Sequence, residues 1–281
     1  MRFLSNYDQR ISLWRNTIQL FHKHNRPEFE GPFFQSGFDY RAEVHISTRP
    51  DGNYKNPDLV AASIDSWLIL ELTFDNISKE AQLNSYRTLD SRDLSVHGLP
   101  VIAQAPDLIS SRLDPFNDGN YCQILVKDRL AIRNDQFLVN TTLRQRLLEA
   151  RGIDLEGLPE IPITLLPEMR EANEIREGLI NIVMQLFKPG SPGKTSLEMV
   201  NEGLDKLSEK VGYTEKQSMK DRVTHQMDIL TQNELRGFLE SRDGKYQQTE
   251  QFKEKSKSPK FISSKIHDWA FPIQRRVQEY V

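Results

Sequence analysis

Two acids stand inside apolar runs that leave no room for an uncompensated charge, and they limit what this chain can fold into. The runs are Pro57-Asp58-Leu-Val-Ala-Ala-Ser63 and Trp67-Leu-Ile-Leu-Glu71-Leu-Thr73, joined by Ile64-Asp65-Ser66. Short apolar runs bounded by turn residues predict a β-hairpin of buried strands. An ionised carboxylate in such a strand is costly unless something compensates it. Two of them on neighbouring strands can share a divalent cation, which removes the cost. Strand side chains alternate, so Ile69, Glu71 and Thr73 point one way while Leu70 and Leu72 point the other. The competing explanation makes Asp58 an ordinary turn residue after Pro57, and places Glu71 at a fraying strand end.

The next segment favours the first explanation. Ser78 predicts the N-cap of a helix running through Lys79, Gln82 and Tyr86. Gln82 and Tyr86, four apart, share one helical face. An aspartate, an apolar strand ending in Glu71-Leu72-Thr73 and a Gln-x-x-x-Tyr helix, in that order, resemble the PD-(D/E)xK nuclease superfamily over roughly residues 40–110. The Gln-x-x-x-Tyr helix is typical of its exonuclease-like branch. The resemblance implies an α/β fold with a restriction-endonuclease-like mixed sheet flanked by helices. It also implies Mg²⁺, or Mn²⁺, held by Asp58, Glu71 and the backbone carbonyl of Leu72. One departure matters: Thr73 stands where the family carries lysine. Lys79 is the expected migrated replacement, with Lys55 as second choice.

The residue types suit that chemistry. An all-oxygen set of two carboxylates and a carbonyl fits Mg²⁺ better than zinc, and a bound Mg²⁺ lowers the pKa of an attacking water. A lysine would orient that water, whereas Thr73 can donate a hydrogen bond but brings no charge. Glu43, in the strand-like Tyr40-Arg-Ala-Glu43-Val-His45-Ile, is either a further acid beside the metal or a solvated strand residue. His45 is expected to pack or hydrogen-bond. The expected catalytic set is therefore Asp58, Glu71, Thr73, Lys79, Gln82 and Glu43.

At 281 residues, one large domain or two medium ones are expected. Cys122 is the single cysteine, which excludes an intramolecular disulfide framework and a cysteine-based zinc site. No apolar run approaches the ~20 residues that span a bilayer. Met1-Arg-Phe-Leu-Ser leads into charged residues and does not resemble a signal peptide, so a cytoplasmic protein without membrane partners is expected. The net charge of −3 hides an asymmetry. From Lys194 onward there are 16 Lys+Arg against 14 Asp+Glu, and between Lys253 and Arg276 seven basic residues face only Glu254 and Asp268. Such a tail can contact phosphates, or simply keep the chain solvated.

Beyond residue 160 the pattern turns helical. Residues 168–187 predict a helix that Lys188-Pro-Gly-Ser-Pro-Gly193 terminates. Gly193-Lys194-Thr195 imitates a nucleotide-binding loop, but Lys188 stands where the loop needs glycine and a helix precedes it, so that assignment is rejected. Thr195-Ser196 opens a second helix and Thr214 caps a third. Arg242-Asp243-Gly244 between short strand-like runs predicts a hairpin. Three helices and a hairpin resemble a winged helix-turn-helix domain. The resemblance implies a recognition helix over about 214–232, with Lys216, Gln217 and Lys220 near DNA, and Arg242 and Lys245 on the wing reaching its backbone.

The expected layout is a nuclease-like domain over 1–160 and a winged-helix domain with a basic tail over 161–281. Pro159, Pro162 and Pro167 mark the boundary; a first helix is expected near 6–24, and strands near 40–48, 57–63, 67–74, 99–104 and 121–127. The expected function is metal-dependent DNA endonuclease, acting on double-stranded DNA in restriction, defence or mobile-element processing. Double-strand cutting with one site per chain calls for a homodimer or sequential nicking. The alternative is a catalytically inactive DNA-binding regulator or assembly subunit. An RNA-processing role has less support, because no aromatic stacking motif stands out.

Overall fold

The computed structural model describes residues 6–25, 28–48, 53–73, 80–89, 91–250, 252 and 259–272. Two compact units emerge: residues up to Ile161 joined by Glu209–Gly212, and Pro162–Ser208 joined by the chain from Tyr213 onward.

The first unit opens with α1 (Asn6–Gln19), which buries Ile11, Leu13, Trp14 and Ile18. A ribbon of β1 (Lys23–Asn25) and β2 (Glu28–Glu30) follows, then a single turn, α2 (Pro32–Gln35). Next come β3 (Asp39–Ala42), a ribbon of β4 (Ile46–Thr48) and β5 (Asn53–Lys55), β6 (Leu59–Ala62) and β7 (Trp67–Thr73). After α3 (Glu80–Ser85) and two 3₁₀ turns the chain forms β8 (Asp107–Arg112), β9 (Cys122–Val126), β10 (Leu130–Arg133) and α4 (Thr141–Glu149).

Among the described residues the main sheet has six strands in the order β10-β9-β8-β7-β6-β3. Its centre, β7-β8-β9, is parallel, and the flanking pairs are antiparallel. Every residue of β7 and β8 is buried, as expected of parallel strands covered on both faces. On one face α1 packs, with the Thr17 hydroxyl 2.6 Å from that of Ser111. On the other, Val60, Ala62, Trp67, Ile69 and Leu108 meet Leu83, Tyr86, Leu89 and Leu94 from the segment after β7. No helix among the described residues is long and apolar enough to cross a membrane.

Several expected elements are corrected. The first helix stops at Gln19, and residues 23–25 pair as a strand instead of prolonging it to 24. The strand expected over 40–48 is two pieces, because Glu43 adopts φ +51° and turns the chain after Ala42. The strand expected at 99–104 is absent: that stretch lacks regular structure and the strand lies at 107–112. Pro100 lies inside the expected stretch and Pro106 directly before the observed strand, and proline cannot donate to a central ladder. The helix start expected at Ser78 lies outside the described residues, as does Lys79.

The second unit holds α5 (Ala172–Leu186), α6 (Ser196–Leu204), α7 (Tyr213–Gln232), a hairpin of β11 (Leu239–Arg242) and β12 (Lys245–Gln248), and α8 (Pro259–Ala270), which packs on α5. Helix α7 begins one residue before the expected cap, at Tyr213. Asp243 and Gly244 at the hairpin tip both take positive φ (52° and 74°), the conformation a tight two-residue turn requires. Lys194, between α5 and α6, exchanges backbone hydrogen bonds with Tyr246 of β12 at 3.0 and 2.9 Å. The segment after Pro162 is no loose linker. Ile163, Leu165 and Leu166 are fully buried, and the amides of Thr164 and Leu165 both donate to the Gly203 carbonyl at 2.8 and 2.9 Å. Glycine is required on both sides of it. A Cβ on Gly178 would lie 2.3 Å from the Thr164 carbonyl oxygen, and one on Gly203 would lie 2.6 Å from Leu165.

Candidate active site

The β6–β7 register pairs Leu59 with Leu70, so its continuation sets Asp58 against Glu71, with both side chains on one face of the sheet. Asp58 Oδ2 accepts the Leu72 amide at 2.7 Å, a carboxylate taking a ladder position just before the start of β6. A strand residue turns its N–H and C=O toward the same neighbour, so the Leu72 carbonyl faces the Asp58 side as well. Glu71 is wholly buried, and its Oε1 accepts the Tyr86 hydroxyl at 2.6 Å. Tyr86 in turn accepts from Gln82 Nε2 at 2.8 Å. The four-residue spacing of Gln82 and Tyr86 thus builds one chain of donors ending on the acid.

Burial pushes the Tyr86 phenol far above its ordinary pKa. The charge and hydrogen bond of Glu71 push it further, Gln82 opposes, and the charge of Asp58 adds to the rise. Both carboxylates therefore act on one phenol. Thr73 lies two residues beyond Glu71 on the same face, buried, its hydroxyl 3.4 Å from that of Ser110. Ser110 pairs with Glu71, and Arg112 with Thr73, across the parallel β7–β8 register. The carboxyl-terminal halves of these two strands thus present Glu71, Thr73, Ser110 and Arg112 on one face, where Trp67, Ile69 and Leu108 are apolar nearer their starts. Carboxyl ends of parallel strands are where open α/β sheets place ligands.

The remaining expected residues are placed as follows. Glu43 is half-buried, and its amide donates to the Asp58 carbonyl at 2.9 Å, which brings its backbone beside the pair. Its left-handed backbone is strained for a residue with a Cβ, and such strain concentrates at functional sites. Among the described residues no third His, Cys, Asp or Glu joins the pair in a metal-holding group. His45 is exposed, with Nδ1 2.6 Å from Asn56 Oδ1. Lys55 sits half-buried in the separate β4–β5 ribbon. Arg112 was not foreseen: the strand carrying it was expected elsewhere, although two serines and an arginine closing the run Leu108-Ile-Ser-Ser-Arg112 are a polar anomaly like that of Glu71. A cleft of about 620 Å³ lies on the α1 face, lined in part by Gln9, Arg15 and Asn16, and the acid pair does not reach it.

In the second unit Lys216, Gln217 and Lys220 are half-exposed on the first turns of α7, and Arg242 and Lys245 are exposed at the hairpin tip. Tyr246 is buried and donates to Asp228 at 2.7 Å, fastening β12 to α7, so that acid has a structural partner. Burial, then the Asp228 hydrogen bond and charge, raise the Tyr246 phenol well above its usual pKa. Thr195 caps α6 by a reciprocal bond pair with Glu198, and Lys194 pairs with Glu202 and with Gln185 at 3.1 Å. The Gly-Lys-Thr run is therefore a helix start. No family model, no curated protein and no solved structure matches this chain.

Proposed function

We propose that the protein is a metal-dependent deoxyribonuclease whose first unit hydrolyses phosphodiester bonds and whose second grips double-stranded DNA. The observation that carries this reading is the common sheet face of Asp58 and Glu71, with Gln82 and Tyr86 tied to Glu71. The donor set fits a hard divalent cation: two carboxylates, one fully buried, beside a backbone carbonyl that faces them. Asp58, Glu71 and the Leu72 carbonyl would hold Mg²⁺ or Mn²⁺. When bound, the ion supplies a water of lowered pKa and offsets charge on the phosphoryl oxygens. Tyr86, kept protonated by its surroundings, donates to Glu71 and orients that carboxylate for the ion. Gln82 fixes the phenol. Glu43, whose backbone amide meets the Asp58 carbonyl, is the proposed further acid, and Lys79 the proposed source of positive charge.

The order helix, backbone bridge, helix, helix, hairpin in the second unit, with Lys194 bridged to Tyr246, supports a winged-helix module. In that module the start of α7 would enter the major groove, with Lys216, Gln217 and Lys220 at the DNA and Arg242 and Lys245 on its backbone. A restriction, defence or mobile-element setting follows by analogy of fold alone, and a homodimer would serve double-strand cutting.

A cleavage assay on duplex DNA with Mg²⁺ or Mn²⁺ tests the reading. Asp58→Asn and Glu71→Gln are expected to lose at least roughly 100-fold in kcat while retaining salt-sensitive DNA binding. Thr73, neutral and turned to Ser110, favours the second reading, an inert DNA-binding regulator or assembly subunit. Binding without any cutting by the wild-type chain selects that second reading.

A further inference from the structure

Arg112 closes β8 on the face that carries Glu71 and Thr73, and it is 1% exposed. Its Nε has no hydrogen-bond partner, and its Nη1 reaches the Gln123 side-chain oxygen only at 3.5 Å. No ion pair joins it to a carboxylate among the described residues; Glu71, on the same face, gives Oε1 to Tyr86 instead. Gln123 is itself engaged: its Oε1 accepts the Asn117 amide at 3.1 Å and its Nε2 donates to the Asn117 carbonyl at 2.7 Å. A guanidinium stays charged in any protein environment. Sealed in a sheet without a counter-charge it is expensive, and replacing it with a neutral side chain should help folding. A cost of this kind points to a ligand. What satisfies a buried guanidinium best is a planar or tetrahedral oxyanion that accepts two of its N–H groups at once.

We infer that Arg112 is a phosphate-binding residue, receiving the oxygens of the nucleic-acid phosphodiester presented to Asp58 and Glu71. The inference rests on the nuclease reading and completes it. The register sets Arg112 directly across from Thr73, so the neighbouring strand brings a cation to the place where the family's lysine is missing. Its fixed charge would offset the negative charge building on the phosphoryl oxygens, a task Thr73 cannot perform. Because Arg112 and Glu71 are both closed to solvent, a phosphate meets them only where the cover over this face parts.

The test uses the full chain, with Arg112→Gln and Arg112→Lys compared with wild type and Asp58→Asn. Thermal unfolding is followed with and without inorganic phosphate or a short DNA duplex, alongside cleavage and Mn²⁺ titration. Arg112→Gln is expected to unfold at or above the wild-type temperature and to bind Mn²⁺ as the wild type does. It should lose the phosphate-induced rise, on the order of 2–4 °C, and at least roughly 100-fold in kcat. Arg112→Lys should regain part of both. Unfolding of both variants well below wild type makes Arg112 a structural cation and overturns the inference. Normal cutting by Arg112→Gln beside an inactive Asp58→Asn also overturns it, and leaves the nuclease reading intact. A wild-type chain that never cuts, yet loses its phosphate response in Arg112→Gln, supports the anion site and removes the nuclease. No stabilisation of the wild type by phosphate or duplex overturns the site.

Discussion

Replacing Tyr86 by phenylalanine removes one hydroxyl and little volume, so its consequences can be worked from the contacts. The lost donor serves Glu71 Oε1 at 2.6 Å, in a place where Glu71 is wholly buried and water cannot take over. A hydrogen bond to a charged group contributes about 1.5–3 kcal/mol. Gln82 is exposed, and its freed amide finds water, so its side of the loss is small. The expected cost at pH 7 is about 2 kcal/mol. A pH dependence follows from the raised phenol. Its contribution is fully present below the ordinary tyrosine value of about 10 and fades as the pH rises above it, because the unfolded chain ionises first. One pH unit above that value removes about 1.4 kcal/mol from the wild type and nothing from Tyr86→Phe. The gap should therefore shrink to about 0.6 kcal/mol by pH 11. Tyr246, also raised, and Cys122, which burial pushes up to about 12, titrate in both proteins and cancel in the difference. Urea unfolding followed by tryptophan fluorescence gives the measurement, in a Trp269→Phe background so that buried Trp14 and Trp67 report on the first unit. A gap under about 0.5 kcal/mol at pH 7, or one unchanged at pH 11, refutes the Gln82–Tyr86–Glu71 chain.

Two further predictions concern the second unit, read as the difference in tryptophan fluorescence between each protein and its Trp269→Phe counterpart. Gly178→Ala pushes a methyl against the Thr164 carbonyl and should cost about 3 kcal/mol in urea unfolding; a loss below about 1 would mean α5 can shift away. Thr195→Ala deletes half of the capping box on α6 and should cost about 1 kcal/mol, whereas an unchanged midpoint would mean that Glu198 alone holds the helix start.

The β6–β7 hairpin was legible because its signal is local: two apolar runs, a polar break and a pattern of period two. Gln82 and Tyr86 were legible in the same way, through a helical spacing that sets both on one face. What escaped was non-local. Leu99-Pro-Val-Ile-Ala-Gln reads as a strand from hydrophobicity, yet Pro100 leaves the ladder to residues 107–112, and only the parallel register sets Arg112 opposite Thr73. Glu43 read as an alternating strand residue, since nothing in its neighbours announces a left-handed backbone at a position where glycine or asparagine would be usual. Pro159, Pro162 and Pro167 suggested a boundary. They could not reveal that the residues between the last two are threaded through helical glycines.

The residues Glu209–Gly212 have a practical consequence. The Ala42 amide donates to the Lys210 carbonyl at 2.9 Å, Lys210 Nζ meets Asp39 Oδ1 at 2.5 Å, and Val211 bridges Ala42, so the outer margin of β3 is capped by a stretch 60 residues past the end of the sheet's own last helix, Glu149. A recombinant fragment ending near residue 161 would bare that margin, with its unpaired backbone groups inviting strand-to-strand aggregation. Fragment designers would do better to graft 209–212 back through a short tether, or to keep the chain whole.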